Sequence, residues 1–181
     1  MRVVAGALKG QRLDVPPGRD VRPTPDRVRE ALFSSLGSLV QGAGVLDLFG
    51  GSGALAIEAL SRGAALAVIV ELHRRAADVV SANLSRTGLE GRARLIRGDA
   101  LKLIPSLAAE RLAFDVVFLD PPYAGDLAAR ALAAVVGHGL LAPEGVVVVE
   151  HDKRNPVAEP AGLRIESVRT YGDTALTYLA R

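Results

Sequence analysis

Cysteine is absent from all 181 residues. That excludes disulfide scaffolds and cysteine-ligated zinc, and it removes every mechanism that needs a thiolate nucleophile. It leaves the redox compartment open. Aromatic residues are scarce at 4%, with no Trp, so an aromatic side chain in a turn needs a reason. No apolar run approaches the ~18 residues of a membrane-spanning helix. After Arg2, "VVAGALKG" is too short and too broken for the apolar region of a signal peptide. A cytoplasmic enzyme without a membrane partner is the expectation. Excess charge is missing too, since the net charge is only +2.

What charge there is sits unevenly. Residues 1–29 hold seven basic side chains (Arg2, Lys9, Arg12, Arg19, Arg22, Arg27, Arg29) against Asp14, Asp20 and Asp26. This front end is net +4 and the remainder net −2. A basic edge on a near-neutral body suggests a polyanionic partner docking there. A solvated charged arm is the plainer alternative. Of the 22 basic residues 19 are arginine. Arginine matches phosphate geometry, although a biased composition yields arginine as well.

The length suits one domain with a real core. "MRVVAGALKGQRLDVPPG" reads as a short β-hairpin, giving a basic arm over residues 1–20 ahead of a domain at 21–181. "RPTPDRVREALFSSLG" starts a helix, with Thr24 as a cap and Pro25 and Asp26 in the first turn. Strands then alternate with helices. Near-continuous apolar runs at 44–49, 66–71, 93–97, 114–120 and 145–150 mark strands buried on both faces. Helices fill 54–62, 73–87, 101–110 and 126–138, and an antiparallel hairpin around "TYGD" ends the chain. The fold class is therefore α/β, a doubly wound, mostly parallel seven-stranded sheet with a small N-terminal hairpin extension.

"VLDLFGGSGALAIEAL" is strand, glycine-rich turn and helix. Gly51 and Gly53 let the backbone turn sharply and approach a ligand. "GSGALA" also satisfies the loose dinucleotide pattern, with Glu71 placed 20 residues after Gly51 to take ribose hydroxyls. A nicotinamide enzyme is therefore a reading to weigh. Asp47 opposes it, because a carboxylate inside the strand end repels a pyrophosphate and suits a cationic amino-acid ligand. "GDAL" adds Asp99 after the third strand. Acids at three successive strand ends describe a pocket for S-adenosylmethionine, which carries a sulfonium, an α-amino group, a ribose and an adenine but no phosphate.

"DPPY", residues 120–123, follows the fourth strand beside the expected crevice. Asp120 is a carboxylate acceptor, Pro121 and Pro122 stiffen the turn, and Tyr123 offers a face on which a base can stack. Acceptors with a stacking face suit a planar substrate bearing an exocyclic amine. Methylation of a pyrimidine carbon ordinarily needs a cysteine, so methylation of an amine is favoured. His73, His138 and His151 show no metal-ligand spacing and are read as surface or helix-end residues, so no metal is expected. Asn83 reads as helix packing or capping, and Glu150 is either structural or near the substrate.

"DLFGGSG" with "DPPY" resembles the Rossmann-fold amino-methyltransferases of nucleic acid bases. "RPTPDRVREALF", "VLDLFGGSGALAIEALSRGA", "FDVVFLDPPY" and "YGDT" together are similar to the 16S rRNA guanine-N2 methyltransferase family, RsmD type, over essentially the whole chain. The resemblance implies S-adenosylmethionine as cofactor and small-subunit ribosomal RNA, free or in an assembling subunit, as partner. It implies that Asp47, Gly51 and Gly53 line the methionine side. Glu71 then holds the ribose, and Asp99 with Ala100 the adenine. Asp120, Pro121, Pro122 and Tyr123 grip the guanine amine. Arg22, Pro23 and Thr24 cover the site and touch cofactor or RNA; from the basic front end, Arg2, Lys9, Arg12 and Arg27 are expected to meet RNA. Gly50 departs from the family's alanine, a change expected to matter little. The family often ends its motif in phenylalanine, so the Tyr123 hydroxyl is expected to be dispensable. The rivals are a DNA adenine or cytosine amino-methyltransferase, which would need room for a base-recognition domain, and a non-catalytic nucleic-acid-binding protein of the same fold.

Overall fold

The computed structural model describes residues 1–17, 24–122 and 126–181. Seven strands form one sheet: β1 (Gly44–Asp47), β2 (Leu66–Glu71), β3 (Ala93–Arg97), β4 (Phe114–Leu119), β5 (Leu141–Asp152), β6 (Arg164–Tyr171) and β7 (Thr174–Ala180). Their order across the sheet is β3-β2-β1-β4-β5-β7-β6. β1 to β5 are parallel, and β7 runs antiparallel between β5 and β6. Among the described residues, α1 (Asp26–Leu36) precedes β1, and α2 (Ala54–Ser61), α3 (Arg74–Thr87), α4 (Ala100–Ala109) and α5 (Leu127–Gly137) connect β1 to β5 in turn. The doubly wound expectation holds. β2 and β3 carry the expected bounds, while β5 starts earlier and ends later than its apolar run.

The continuous apolar strands are explained by cores on both faces. Val45, Ile69, Val116 and Phe118 pack with α1, α2 and α3. Their neighbours Leu46, Val68, Val117 and Leu119 pack on the other face with α4 and α5. Alternation along each strand therefore delivers apolar side chains to two cores rather than to one core and water. Phe33 of α1 meets Phe118 edge-on at 5.7 Å, and the Arg62 guanidinium lies 5.0 Å from the Phe33 ring centroid. That contact seats α1 against β4, the strand that delivers Asp120.

The N-terminal hairpin is not formed as strands. Its arms meet only at the base, at one antiparallel bridge, Arg2 to Arg12, with Val3 N–H donating to Gln11 O, Gly10 N–H to Val3 O and Leu13 N–H to Met1 O. The reason lies in where the amides go. Val4 and Ala5 N–H donate to the two Glu58 oxygens at 2.7 and 2.9 Å, Leu8 N–H to Ser61 Oγ at 3.0 Å and Ala7 N–H to Ser61 O at 2.8 Å. Beyond that base, helix α2 takes the donors of Val4, Ala5, Ala7 and Leu8 that a longer ladder would have used. Val3 and Leu13 are buried in the main core, so residues 1–17 are a stitched-on part of the domain rather than a solvated arm. Arg29 also departs from the charge reading. Its side chain is fully buried and donates to Thr24 O, Arg2 O and Asp26 Oδ1, so it is spent inside the protein.

Glu58 is buried and also accepts from Arg62 Nε at 2.7 Å. Glu58→Ala would orphan two amides and a guanidinium. Removing one partner of such a buried pair costs about 3 kcal/mol. In a chain of this size that is roughly a 6–12 °C fall in Tm, measurable by calorimetry.

Candidate cofactor and substrate site

Strand order places the site. From β1 the chain steps outward to β2 and β3, then returns through α4 to β4 on the other side of β1. Where the order reverses, the connections diverge and leave a crevice at the carboxyl ends. Five acidic residues stand along that edge in sheet order: Asp99 after β3, Glu71 ending β2, Asp47 ending β1, Asp120 after β4 and Glu150 in β5. The crevice between β1 and β4 is lined by Met1, Thr24, Asp47, Phe49, Gly51 and Asp120, among others. A larger open hollow of about 520 Å³ lies among Glu159, Leu163, Arg164 and Arg181. It is at the opposite edge of the sheet and contains none of the strand-end acids.

The glycine loop hangs from its neighbours. Leu48 N–H donates to Phe118 O and Gly50 N–H to Val70 O, at 3.2 and 2.8 Å. Gly53, at φ 77°, starts α2, and a Cβ there would press on Val80 of α3 at 3.2 Å. Gly51 has φ 56°, and the space over its Cα is open, with nothing nearer than Phe49 O at 4.0 Å. A ligand can approach the backbone there. Gly50 is a correction. A Cβ at this position would stand 2.6 Å from Ile69 Cγ2 and 3.3 Å from Val70 O. In this chain the departure from alanine matches the packing of Ile69 and is not neutral.

Each acid has a distinct setting. Glu71 is buried and accepts from Gly51 N–H on Oε2 and from His73 N–H on Oε1, both at 2.7 Å. Each oxygen retains acceptor capacity. Asp99 caps α4 through Oδ1, taking Leu101 N–H at 2.9 Å and, more weakly, Lys102 N–H at 3.4 Å, which leads into buried Ala100. Asp47 is 1% exposed. Burial pushes its carboxyl up to about 7, with the nearby Glu71 charge adding and the Phe49 amide opposing. Asp120 is raised well above the usual carboxylate range, by burial first and then by the charges of Glu150 and Asp47. It keeps some exposed surface, but its carboxyl lies deep among these neighbours.

Thr24 does not cap α1. Pro25 occupies the cap position without a side-chain bond. Arg29 holds the Thr24 carbonyl, and the Thr24 hydroxyl donates to Glu150 Oε2 at 3.0 Å, with Asp120 Oδ2 at 3.4 Å. Glu150, left undecided by the sequence, is thus beside Asp120. No local pattern could have found this pairing, because 126 residues separate Thr24 from Glu150. Pro121 is buried and Pro122 exposed. Arg22 and Tyr123 lie outside the described residues. Arg2, Lys9, Arg12 and Arg27 are exposed. His73 and His138 stand at helix ends, but His151 is buried in β5 and bonded to Thr177 Oγ1 at 2.8 Å, against its surface reading.

Asn83 does more than pack. Fully buried on α3, it accepts from Asp14 N–H and donates to Asp14 O and to Ser52 O in the glycine loop, at 2.8, 2.9 and 2.9 Å. One carboxamide thereby ties residues 1–17 to the loop. Leu72, beside Glu71, is 57% exposed. It is an apolar surface at the site that sequence reading passed over, and only its place after a strand-end acid could have flagged it.

The fold and this site define a methyltransferase of the class I α/β type. Residues 1–180 match the family described as "Conserved hypothetical protein 95", the RsmD family, and the chain belongs to it. It is 35% identical to Ribosomal RNA small subunit methyltransferase D of Escherichia coli K12 over 176 residues, covering 97% of this chain and 87% of that one. The corresponding Haemophilus influenzae protein is 34% identical over 173 residues, covering 95% and 89%. The solved structure of a hypothetical protein from Thermus thermophilus superposes with a TM-score of 0.85 at 34% identity, covering 100% of this chain and 99% of that chain.

The raised Asp47 carboxyl has a sign for stability. Its proton is held more tightly folded than unfolded, so its contribution is fully present below about 4 and is lost as pH rises to about 7. The size is about 4 kcal/mol at most for a shift of this order. Asp120 acts in the same direction. In urea unfolding, Asp47→Asn should narrow the stability difference between pH 5 and pH 8, and it should be the more stable protein at pH 8.

Proposed function

We propose that the protein transfers a methyl group from S-adenosylmethionine to the 2-amino group of a guanine in small-subunit ribosomal RNA. One observation carries this reading. Asp47 and Asp120 are drawn out of water at the switch point, beside a glycine loop open to a ligand, and no described cation pairs with either. Buried acids with no described cation beside them leave a place for a positively charged ligand, which favours their ionised form, and offer a phosphate-bearing dinucleotide no counter-charge. They suit a cationic cofactor next to an amine donor. The relatives named as small-subunit ribosomal RNA methyltransferases support the substrate class.

The residues present fit the cofactor. Asp47 would face its cationic amino-acid end, whose charge favours the ionised carboxylate. Glu71 would accept the ribose hydroxyls while its bond to Gly51 N–H holds the loop. Asp99, with its cap bonds on one oxygen, would leave the other for the adenine side with Ala100, and exposed Leu72 would cover an apolar face. When bound, the cofactor supplies an electrophilic methyl group on a sulfonium.

Asp120 would accept a hydrogen of the guanine amine. This draws the nitrogen lone pair out of conjugation and aims it. The Pro121–Pro122 turn fixes where the carbonyls point. Tyr123 enters on its sequence position as the stacking face. After transfer the nitrogen is cationic and loses one proton, to Asp120 or water. The protein's contribution is position and electrostatic alignment. The exposed Arg2, Lys9, Arg12 and Arg27, with Arg22, would hold the RNA backbone.

Labelled S-adenosylmethionine offered with 16S rRNA, assembled small subunits or duplex DNA tests the substrate. Label in a guanine of the rRNA is the expected result. S-adenosylmethionine should raise Tm and NADH should not, since only a ligand of the folded state stabilises it. Stabilisation by NADH alone would overturn the cofactor.

The amine grip has its own series. Tyr123→Phe should keep most activity. Tyr123→Ala should lose about 1–3 kcal/mol of stacking, roughly ten- to a hundredfold in kcat/KM, with cofactor affinity unchanged by calorimetry. Asp120→Ala should lose more. Equal inactivity of the Phe and Ala variants would give the hydroxyl a chemical part.

A further inference from the structure

The cations along the carboxyl edge of the sheet fall into two groups. At the β5 end they are paired, Lys153 with Asp173 and Arg154 with Asp152. At the β3–β2 end, Arg74, Arg75, Arg97 and Lys102 are exposed, and among the described residues none forms an ion pair. Strand β3 shows the contrast within five residues. Arg94, near its start, is held in a two-pronged pair with Glu110 at 2.5 and 3.0 Å, whereas Arg97 at its carboxyl end has no ion-pair partner among the described residues.

Three of these four cations also stand where the backbone disfavours them. Arg74 and Arg75 are the first two residues of α3, and Lys102 is the third of α4. Neither helix has an acid in its first turn, although Asp99 caps α4, so the conflict is sharpest for Arg74 and Arg75. A helix start is the positive end of the peptide dipoles, where Asp or Glu stabilises and Arg or Lys destabilises. Local stability would place acids there. Residues that break a local rule without a compensating contact are where a binding function is to be sought. The proposed cofactor gives them no task, since it carries no phosphate.

We infer that Arg74, Arg75, Arg97 and Lys102 form a second contact for the sugar–phosphate backbone of the substrate RNA, across the crevice from Arg27. This rests on the RNA reading above and deepens it. Sheet order supports the span. Thr24, three residues before Arg27, stands over the ends of β4 and β5, and the rim cations stand over β2 and β3. Asp47, which ends β1, lies between the two sides in sheet order. An RNA strand presenting its target base to the crevice would then be held at the phosphates on both sides.

Charge reversal at the helix start gives opposite signs for stability and binding, which separates this role from a structural one. Arg74→Glu/Arg75→Glu should keep or raise Tm, because acids suit that position. Its affinity for S-adenosylmethionine by calorimetry should be unchanged. Its affinity for a 16S rRNA fragment, by fluorescence anisotropy, should fall by about tenfold or more, and the log–log salt slope should flatten by about 0.7–0.9 per lost phosphate contact. Arg97→Glu should show a smaller loss of the same kind. Arg111→Glu/Arg164→Glu, reversing two cations at the opposite edge of the sheet, should bind RNA like wild type. The rim is overturned by unchanged RNA affinity and slope, by an equal loss in the opposite-edge control, or by a fall in cofactor affinity. Methyl transfer to 16S rRNA by the wild type reports separately on the substrate reading, and the variant-to-wild-type ratio of affinities reports on the rim.

Discussion

Everything at the crevice depends on keeping Asp47 and Asp120 out of water without a described cation beside them. Burial of a carboxyl is costly when it ionises, and Asp120 also faces the charges of Glu150 and Asp47, as Asp47 faces that of Glu71. The surrounding fold makes that arrangement persist. β1 and β4 are clamped in register, Asp47 against Phe118, with apolar cores on both faces. That pairing and packing oppose separation of the strand ends, which would let more water reach the acids. The strain is released only by protonation or by a cationic ligand, and this turns a local instability into selectivity for a positively charged cofactor.

Three buried polar side chains set the edges of the same crevice. Glu58 fixes the first residues of the chain on α2. Asn83 joins that segment to the glycine loop, and Arg29 joins it to Thr24, whose hydroxyl lies between Glu150 and Asp120. Each bonds backbone groups that would otherwise be orphaned, which is why polar side chains are tolerated so deep. Residues 1–17 are thereby a wall of the site, with Met1 lining the crevice.

How much of this the sequence disclosed follows the range of each interaction. The parallel strands were legible because burial on both faces leaves an unbroken apolar run, and β2 and β3 emerged with the right ends. The strand-end acids and the glycine loop were legible because they occur at fixed offsets from those runs. Thr24 misled because a Thr before Pro-Asp is a good local cap, yet its partners lie 96 and 126 residues away. The hairpin misled for the same reason, since its amides are claimed by a helix more than 50 residues on. Asn83 and Glu150 left no local trace of their partners. Gly50 looked interchangeable until Ile69 on the neighbouring strand was seen to fill the space of its missing Cβ.

The charges form a single arrangement once burial is taken into account. A chain of net charge +2 keeps its acids at the crevice inside and several of its unpaired cations on the rim. Ionised acids in the crevice would repel an approaching polyanion. Raising the Asp47 and Asp120 carboxyls toward neutrality lowers that repulsion before the cofactor is present, and the cofactor's own positive charge offsets it afterwards. On the proposed function, burial, which makes the acids expensive to the fold, would therefore also ease the approach of a negatively charged partner to the crevice.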